Sequence, residues 1–345
     1  MKQSLDEYRE TVVPETDQAA NPPEPDAGVR LSTDSLYETG VKLYRSREYE
    51  AAHTALTQAL DQYQSLGDAL GEGKSLVGLG LVEYSMGNYE AAIRLSLLSL
   101  ERSRQTGDRH TERQSLANLG NAYRHLEDFD CSIRYKQQSL TLARDLKDWR
   151  GEAAALSNLG MAYKAINQYR RAIAFYQEAL DLVRRHQDRN MEAQILRNLG
   201  NAYHTIEDYA QTIECYLLLR RIMQELEDYK TELHILRNLA SVSYSIGNHS
   251  AAIQFHQERL QLAQKLGDYR NATQALESLG LIYDATGDYA KALSYHEQRL
   301  ELAQHQQDGR LEKQAVRSLK SICYAIGDYA RASRYCLPEP ASSAG

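Results

Sequence analysis

The stretch Leu196-Arg197-Asn198-Leu199-Gly200-Asn201-Ala202-Tyr203 returns in close copies at a fixed interval of forty residues. A glycine marks most copies, and Ala240 and Lys320 stand at the two positions that complete the series. The glycines are Gly40, Gly80, Gly120, Gly160, Gly200 and Gly280. An aromatic residue nine positions later keeps the same period, with His249 as the exception. This self-similarity predicts a stacked array of repeated structural units.

Charge and hydropathy restrict the possible functions. The chain of 345 residues has a formal net charge of −7, and residues 1–30 hold seven acidic against three basic residues. No run of lysine or arginine offers the basic surface that nucleic-acid binding requires. The start of the chain lacks an apolar signal region, and no later segment approaches the roughly eighteen apolar residues of a membrane helix. We therefore expect a soluble, cytoplasmic protein that has no transmembrane segment and does not bind nucleic acid.

The positions of proline divide the chain. All six prolines lie near the two ends, so the long central part contains no helix breaker of this kind. We expect residues 1–30 to form a disordered, acidic, proline-rich arm and residues 337–345 to form a disordered tail. Residues 31–336 between them are the predicted array. Its repeats are predicted at 31–68, 69–108, 109–148, 149–188, 189–228, 229–268, 269–308 and 309–336.

Each repeat carries the apolar pattern of two helices. In the fourth, Leu156, Leu159, Gly160 and Tyr163 form one stripe at helical spacing, and a second stripe begins at Tyr169. Seven repeats end in an aspartate, which predicts a cap on the helix that follows. A glutamate four residues later in most repeats adds negative charge to the first turn. The aspartates are Asp68, Asp108, Asp148, Asp188, Asp228, Asp268 and Asp308.

The periodic glycine needs a physical reason. Glycine inside a helix costs about 1 kcal/mol relative to alanine, and here it recurs at one helical position. A small residue stands twelve positions after it, as Ala172 does after Gly160. We expect these two small residues to face each other and to let the two helix backbones come close together.

The order Leu196, Leu199, Gly200, Tyr203, followed by a small Thr212 and an aromatic Tyr216, resembles the tetratricopeptide repeat. The spacing of forty and the closing aspartate in place of proline resemble the long-repeat subclass of the Leu-Gly-Asn (Pins-type) adaptor proteins. The resemblance covers residues 31–336. It implies an all-α fold, a right-handed superhelical solenoid of about eight helical hairpins with a concave groove.

Catalytic and metal-binding patterns are missing from the sequence. It contains no H-E-x-x-H, no G-x-S-x-G and no phosphate-binding glycine loop. His256 and His296 occupy equivalent positions in consecutive repeats, where packing is a simpler explanation than metal binding. The four cysteines have no paired spacing and are expected to be reduced thiols. We predict a protein that is not an enzyme and that needs no cofactor or metal.

The face of each first helix that lies away from the apolar stripe carries amides and cations. The resemblance implies that this face lines the groove. Asparagine offers a donor and an acceptor that match a peptide backbone, and arginine pairs with carboxylates. An ordinary polar helix surface is the alternative explanation. The predicted peptide-binding residues are Asn118, Asn121, Arg124, Asn158, Met161, Lys164, Arg197, Asn198, Asn201, His204, Arg237 and Asn238.

These observations predict an adaptor that binds an extended, acidic segment of a partner protein in the groove, within residues 114–245. Two other interpretations remain open from the sequence. The chain could be an assembly scaffold that uses its convex face and its ends. It could also be a regulatory protein that senses a short signalling peptide.

Overall fold

The computed structural model describes residues 27–335, and these form sixteen α-helices without a strand. Each repeat contributes two consecutive helices, as predicted. The helices are α1 (Ala27–Arg45), α2 (Tyr49–Ser65), α3 (Ala69–Met86), α4 (Tyr89–Thr106), α5 (Arg109–His125), α6 (Phe129–Asp145), α7 (Trp149–Ala165), α8 (Tyr169–Arg185), α9 (Arg189–Thr205), α10 (Tyr209–Glu225), α11 (Tyr229–Ser245), α12 (His249–Leu266), α13 (Tyr269–Ala285), α14 (Tyr289–His305), α15 (Gly309–Ala325) and α16 (Tyr329–Arg334). The prediction of an all-α fold built from helical hairpins is confirmed.

The chain divides into two compact units, residues 1–142 and 143–345, and the division falls within α6. Inside each unit, helices that follow one another in sequence pack side by side. The first helix, α1, begins at Ala27, four residues before the predicted start of the array. The predicted arm up to residue 26, the tail 337–345 and Cys336 lie outside the described residues. The other three cysteines, Cys131, Cys215 and Cys323, are free thiols.

The predicted aspartate caps are confirmed. All seven aspartates precede a first helix, and each side chain accepts a hydrogen bond from the backbone of the first turn. Asp228, for example, accepts from the Thr231 N–H at 3.0 Å and from its hydroxyl at 2.6 Å. The local sequence signal therefore places these helix starts correctly, because a carboxylate satisfies N–H groups that have no partner inside the helix.

The periodic glutamate has a role that the sequence analysis missed. Glu232 is buried and accepts hydrogen bonds from Arg220 Nε at 2.9 Å and Gln224 Nε2 at 2.5 Å, both on α10. Glu192 on α9 is buried in the same way and pairs with Arg184 Nε of α8 at 2.9 Å. The glutamate thus ties the first helix of one hairpin to the second helix of the hairpin before it. The favourable interaction of its negative charge with the helix N-terminus is therefore only part of what the glutamate contributes to stability.

The glycine prediction holds in part. At Gly80 and Gly120 a Cβ atom would lie 3.4 Å and 3.2 Å from the backbone carbonyl oxygen of the small residue, Ala92 or Ser132. At Gly160 and Gly200 the predicted partner is wrong. A Cβ atom on Gly160 would lie 2.5 Å from Cε1 of Tyr176, so the ring of Tyr176, and not the backbone at Ala172, occupies the space above the glycine. The same holds at Gly200, where Tyr216 Cε1 would be 2.7 Å away. We call the residues sixteen positions after the glycine position the +16 residues. Within residues 27–335 they are Leu56, Ser96, Lys136, Tyr176, Tyr216, His256 and His296.

Candidate functional site

In the second unit, the first helices α7, α9 and α11 and the second helix α10 surround a cavity of about 390 Å³. Four of the predicted site residues line it, namely Lys164, Asn201, His204 and Asn238. The complete lining is Lys164, Asn201, His204, Thr205, Tyr216, Asn238, Ser241 and Val242. None of these residues is acidic. The cavity therefore presents amides, hydroxyls and basic groups without a carboxylate that would compete for an acidic ligand.

Tyr216 forms the polar centre of the cavity. Its hydroxyl donates a hydrogen bond to Asn201 Oδ1 at 2.7 Å. Burial, and after it the nearby Cys215, raises the pKa of Tyr216, while a hydrogen bond with the Asn238 side chain lowers it. The phenol therefore stays neutral near pH 7. It links the asparagines of two consecutive first helices and holds the carbonyl oxygen of Asn201. Within residues 27–335 the Asn201 amide nitrogen donates no hydrogen bond, so it remains available to a ligand.

Other predicted site residues of the second unit lie outside the lining of this cavity. Asn158, Met161 and Asn198 are half-buried, and Arg197 and Arg237 are exposed. Hydrogen bonds from Thr231 lower the pKa of Asp228, and the charge of Arg197 adds to this effect. Arg197 therefore lies close to the cap of α11. The two arginines remain predicted contacts for acidic side chains, but the structure does not bring them into the cavity lining.

Arg237 has a buried cation as its neighbour. Burial, and after it the charge of Arg237, lowers the pKa of Arg259 to about 10. The Arg259 guanidinium donates to Asn271 Oδ1 at 2.6 Å and to Gln274 Oε1 at 2.7 Å. Arg237 thus adds positive potential near a guanidinium whose hydrogen-bond acceptors within residues 27–335 are neutral amides.

In the first unit, the predicted asparagines have partners inside the protein. Asn118 Nδ2 donates to the Val77 carbonyl at 3.2 Å, which joins α5 to α3. Asn121 Oδ1 accepts from Lys136 Nζ at 2.5 Å. Asn118 therefore stabilises the packing of two first helices. The presence of asparagine at this position of the third repeat has a structural explanation, which does not require a ligand.

Arg124 lies beside His125 and Tyr84 in the first unit. Its Nη2 approaches His125 Nε2 at 2.9 Å, and the Tyr84 hydroxyl is 2.9 Å from the same ring nitrogen. The imidazole of His125 also stacks on the ring of Tyr89, with centroids 4.6 Å apart. These contacts hold the guanidinium against neutral groups, and no carboxylate pairs with it in the described part of the chain.

His256 and His296 are buried, with 7% and 1% of their surface exposed. Burial, and after it the charges of Arg259 and Arg299 respectively, lowers the pKa of each to about 4. Both are therefore neutral packing residues near pH 7. Among the described residues, no group of three or more histidine, cysteine, aspartate or glutamate side chains is placed to hold a metal ion. No helix within residues 27–335 combines the length and apolar character of a membrane span.

Sequence reasoning missed Tyr216, Thr205, Ser241 and Val242 as lining residues, and it did not single out Lys136. The residue types at the +16 position could have indicated a role beyond packing. It is occupied by tyrosine in two repeats, by histidine in two and by lysine in one, although a packing position ordinarily keeps one apolar type.

Comparison with known sequences identifies the repeat. One family profile of the tetratricopeptide repeat matches residues 72–145, 111–185 and 191–265, and a second matches residues 275–310. Together the matches cover more than half of the chain. No curated protein matches the sequence.

Solved structures are similar in fold. A signal transduction ATPase with numerous domains from Pyrococcus horikoshii, which has a tetratricopeptide repeat sensor, matches 88% of this chain with a TM-score of 0.61 and 17% identity. This chain spans 46% of that protein. The apo form of RapI matches 84% of this chain, over 99% of its own length, with a TM-score of 0.56 and 12% identity. The pilF protein of Pseudomonas aeruginosa matches 72% of this chain, over 97% of its own length, with a TM-score of 0.51 and 13% identity.

Proposed function

Since the chain belongs to the tetratricopeptide repeat family, we propose that it is a non-catalytic, cytoplasmic adaptor that binds an extended, acidic segment of a partner protein. The segment binds on the face of the first helices, with the cavity between α7, α9 and α11 as its main contact. The repeat spacing of forty and the aspartate at the end of seven repeats support placement in the long-repeat Leu-Gly-Asn subclass.

The lining of the cavity carries this proposal. Lys164 and His204 supply basic groups, while Asn201 and Asn238 supply amides on consecutive first helices. Equivalent side chains of consecutive hairpins recur along the array, and the N–H and C=O groups of an extended peptide recur along its backbone. Asparagine side chains can bind such a backbone whatever its sequence, because each offers both a donor and an acceptor.

Selection for acidic side chains follows from the charges. A carboxylate in a cavity partly shielded from water interacts with a lysine ammonium more strongly than at a fully exposed surface. Lys164 is half-buried and has no ion-pair partner in the described part of the chain. It is therefore available to a ligand, and so is the exposed His204 at the rim.

The test compares two peptides and four variants of the full chain. An oligoglutamate peptide and its oligoglutamine counterpart are titrated by fluorescence anisotropy at low salt. Asn238→Ala should weaken both peptides alike, by roughly fivefold to a hundredfold, since it removes a backbone contact. Lys164→Met should weaken only the glutamate peptide.

Two matched controls lie outside the cavity. Asn190→Ala changes an exposed asparagine of α9, and Lys313→Met changes an exposed lysine of α15. Both should bind like the wild type. If Asn238→Ala and Lys164→Met also bind like the wild type, the ligand uses another surface, and the assembly scaffold becomes the better interpretation.

A further inference from the structure

The +16 residues show one departure that packing does not explain. All seven are buried, and six of them, all except His256, lie against the repeat glycine of their own hairpin. In the described repeats they are aliphatic, hydroxyl, phenol or imidazole groups, except in the third repeat, where Lys136 stands. A lysine at a buried packing position is costly unless its charge is paired. The third repeat therefore carries a group whose charge is not needed to build the fold.

Lys136 fills its position with its methylene chain. Only 1% of the residue is exposed. A Cβ atom on Gly120 would lie 2.6 Å from Lys136 Cγ, so the aliphatic part occupies the space that tyrosine rings occupy in the next two repeats. Methionine has nearly the same length and no charge. The ammonium is therefore dispensable for packing.

The ammonium has few partners. It donates a hydrogen bond to Asn121 Oδ1 at 2.5 Å, a neutral amide oxygen. Burial, and after it the charge of Arg124, lowers the pKa of Lys136 to about 7. Within residues 27–335, no carboxylate forms an ion pair with it. An ammonium group has three N–H donors, so it can accept further oxygen ligands.

Arg124 adds a second cation with spare donors. Its Nε is buried without a hydrogen-bond partner. Its Nη2 faces the ring nitrogen of His125, a neutral acceptor. Burial, followed by the charges of Arg124 and Lys136, also lowers the pKa of His125. The charges of Lys136 and Arg124 therefore repel each other, and within residues 27–335 no carboxylate pairs with either of them.

We propose that Lys136 and Arg124 form an anion-binding subsite in the first unit that takes a carboxylate side chain of the acidic partner. The identity of the ligand rests on the proposed function, whereas the subsite rests on the two cations themselves. One carboxylate has enough lone pairs to accept from Lys136 Nζ and from Arg124 Nε. Asn121 is half-buried, and rotation of its side chain away from the ammonium opens the subsite. The amide then presents its nitrogen to the ligand.

The first test uses affinity. Lys136→Met in the full chain should bind the oligoglutamate peptide roughly ten- to a hundredfold more weakly, as expected for a charge-assisted hydrogen bond. It should bind the oligoglutamine peptide like the wild type. Leu56→Met is the matched control, because it changes the equivalent position of the first repeat to the same residue. This control should bind both peptides normally.

The second test observes the lysine directly. With carbon-13 in the lysine side chains, the signal that is missing from Lys136→Met identifies Lys136. At pH 8 an unliganded Lys136 is mostly neutral, and a bound carboxylate should move its signal to the position of the protonated form. Acetate is a second probe, because it carries a carboxylate but does not depend on the peptide-binding face. The same ionic strength of chloride is the reference for effects of salt alone.

The outcomes separate the two proposals. If the glutamate peptide binds but the Lys136 signal does not move and Lys136→Met binds normally, the subsite is wrong and the adaptor function stands. If acetate moves the signal although neither peptide binds, the subsite stands and the acidic-peptide adaptor is wrong. If neither probe moves the signal and no peptide binds, both are wrong.

Discussion

The identity of the group that packs on the repeat glycine can be tested with Gly160→Ala. A Cβ atom at this position would lie 2.5 Å from Cε1 and 2.7 Å from Cδ1 of Tyr176. Carbon atoms pack at about 3.5–4.0 Å, so the ring would have to move by about 1 Å. Tyr176 is 1% exposed, which leaves little room for that movement. Overpacking of this kind costs about 1–3 kcal/mol.

Gly73→Ala is a matched control within a helix. Its Cβ would lie 3.6 Å from Arg102 Cβ and 3.8 Å from Thr111 Cγ2, which is ordinary contact. Both substitutions gain about 1 kcal/mol of helix propensity. The free energy of unfolding of Gly160→Ala should therefore be about 1–3 kcal/mol below that of Gly73→Ala. Urea unfolding followed by circular dichroism measures this difference.

A double variant isolates the ring as the cause. Tyr176→Ala removes the obstacle, so adding Gly160→Ala to it should cost much less than in the wild type. Equal stabilisation by Gly160→Ala and Gly73→Ala would refute the assignment of Tyr176 as the group that fills the space.

Two further predictions concern buried charges. In Lys136, the folded-state pKa of about 7 lies below the ordinary value of 10.5, so the unfolded chain binds more protons between these values, and stability rises with pH. Relative to Lys136→Met, the wild type should gain about 2 kcal/mol between pH 7 and pH 9 in urea unfolding, and parallel pH profiles would contradict this. Arg220→Met leaves the Glu232 carboxylate, only 5% exposed, without its ion pair, so it should destabilise by about 3 kcal/mol. Adding Glu232→Gln should recover part of that loss. Arg150→Met is the control, because it removes an ion pair with Asp188 at 3.6 Å in which the arginine side chain is 71% exposed. It should lower the free energy of unfolding by less than about 1 kcal/mol. Equal losses of stability in Arg220→Met and Arg150→Met would show that burial of Glu232 is not decisive.

The helices and their first residues could be predicted because their signals are local and repeated. Asp148 and its equivalents mark helix starts through one side chain and the turn beside it, and the forty-residue period supports each assignment with six others. The face that carries the asparagines also follows from the helical period alone. Lys164, Asn201, His204 and Asn238 accordingly line one cavity in the second unit.

Contacts between helices could not be predicted in this way. Tyr216 reaches Asn201 from the second helix of its hairpin, and Arg220 reaches Glu232 from the hairpin before. Such contacts depend on the distance and rotation between two helices, and the period of either helix gives neither. Arg197 and Asn198 are neighbours in sequence but lie about 100° apart around the helix, and Arg197 is exposed whereas Asn198 is half-buried.

Locating a bound acidic peptide on the protein tests the proposed adaptor function most directly. An oligoglutamate peptide with a central photo-reactive side chain is cross-linked to the full chain, and mass spectrometry identifies the attached residues. We predict cross-links to the cavity lining, above all Lys164, His204 and Ser241, and their suppression by Lys164→Met. Cross-links confined to exposed residues of the second helices, such as Gln254 on α12, would contradict it.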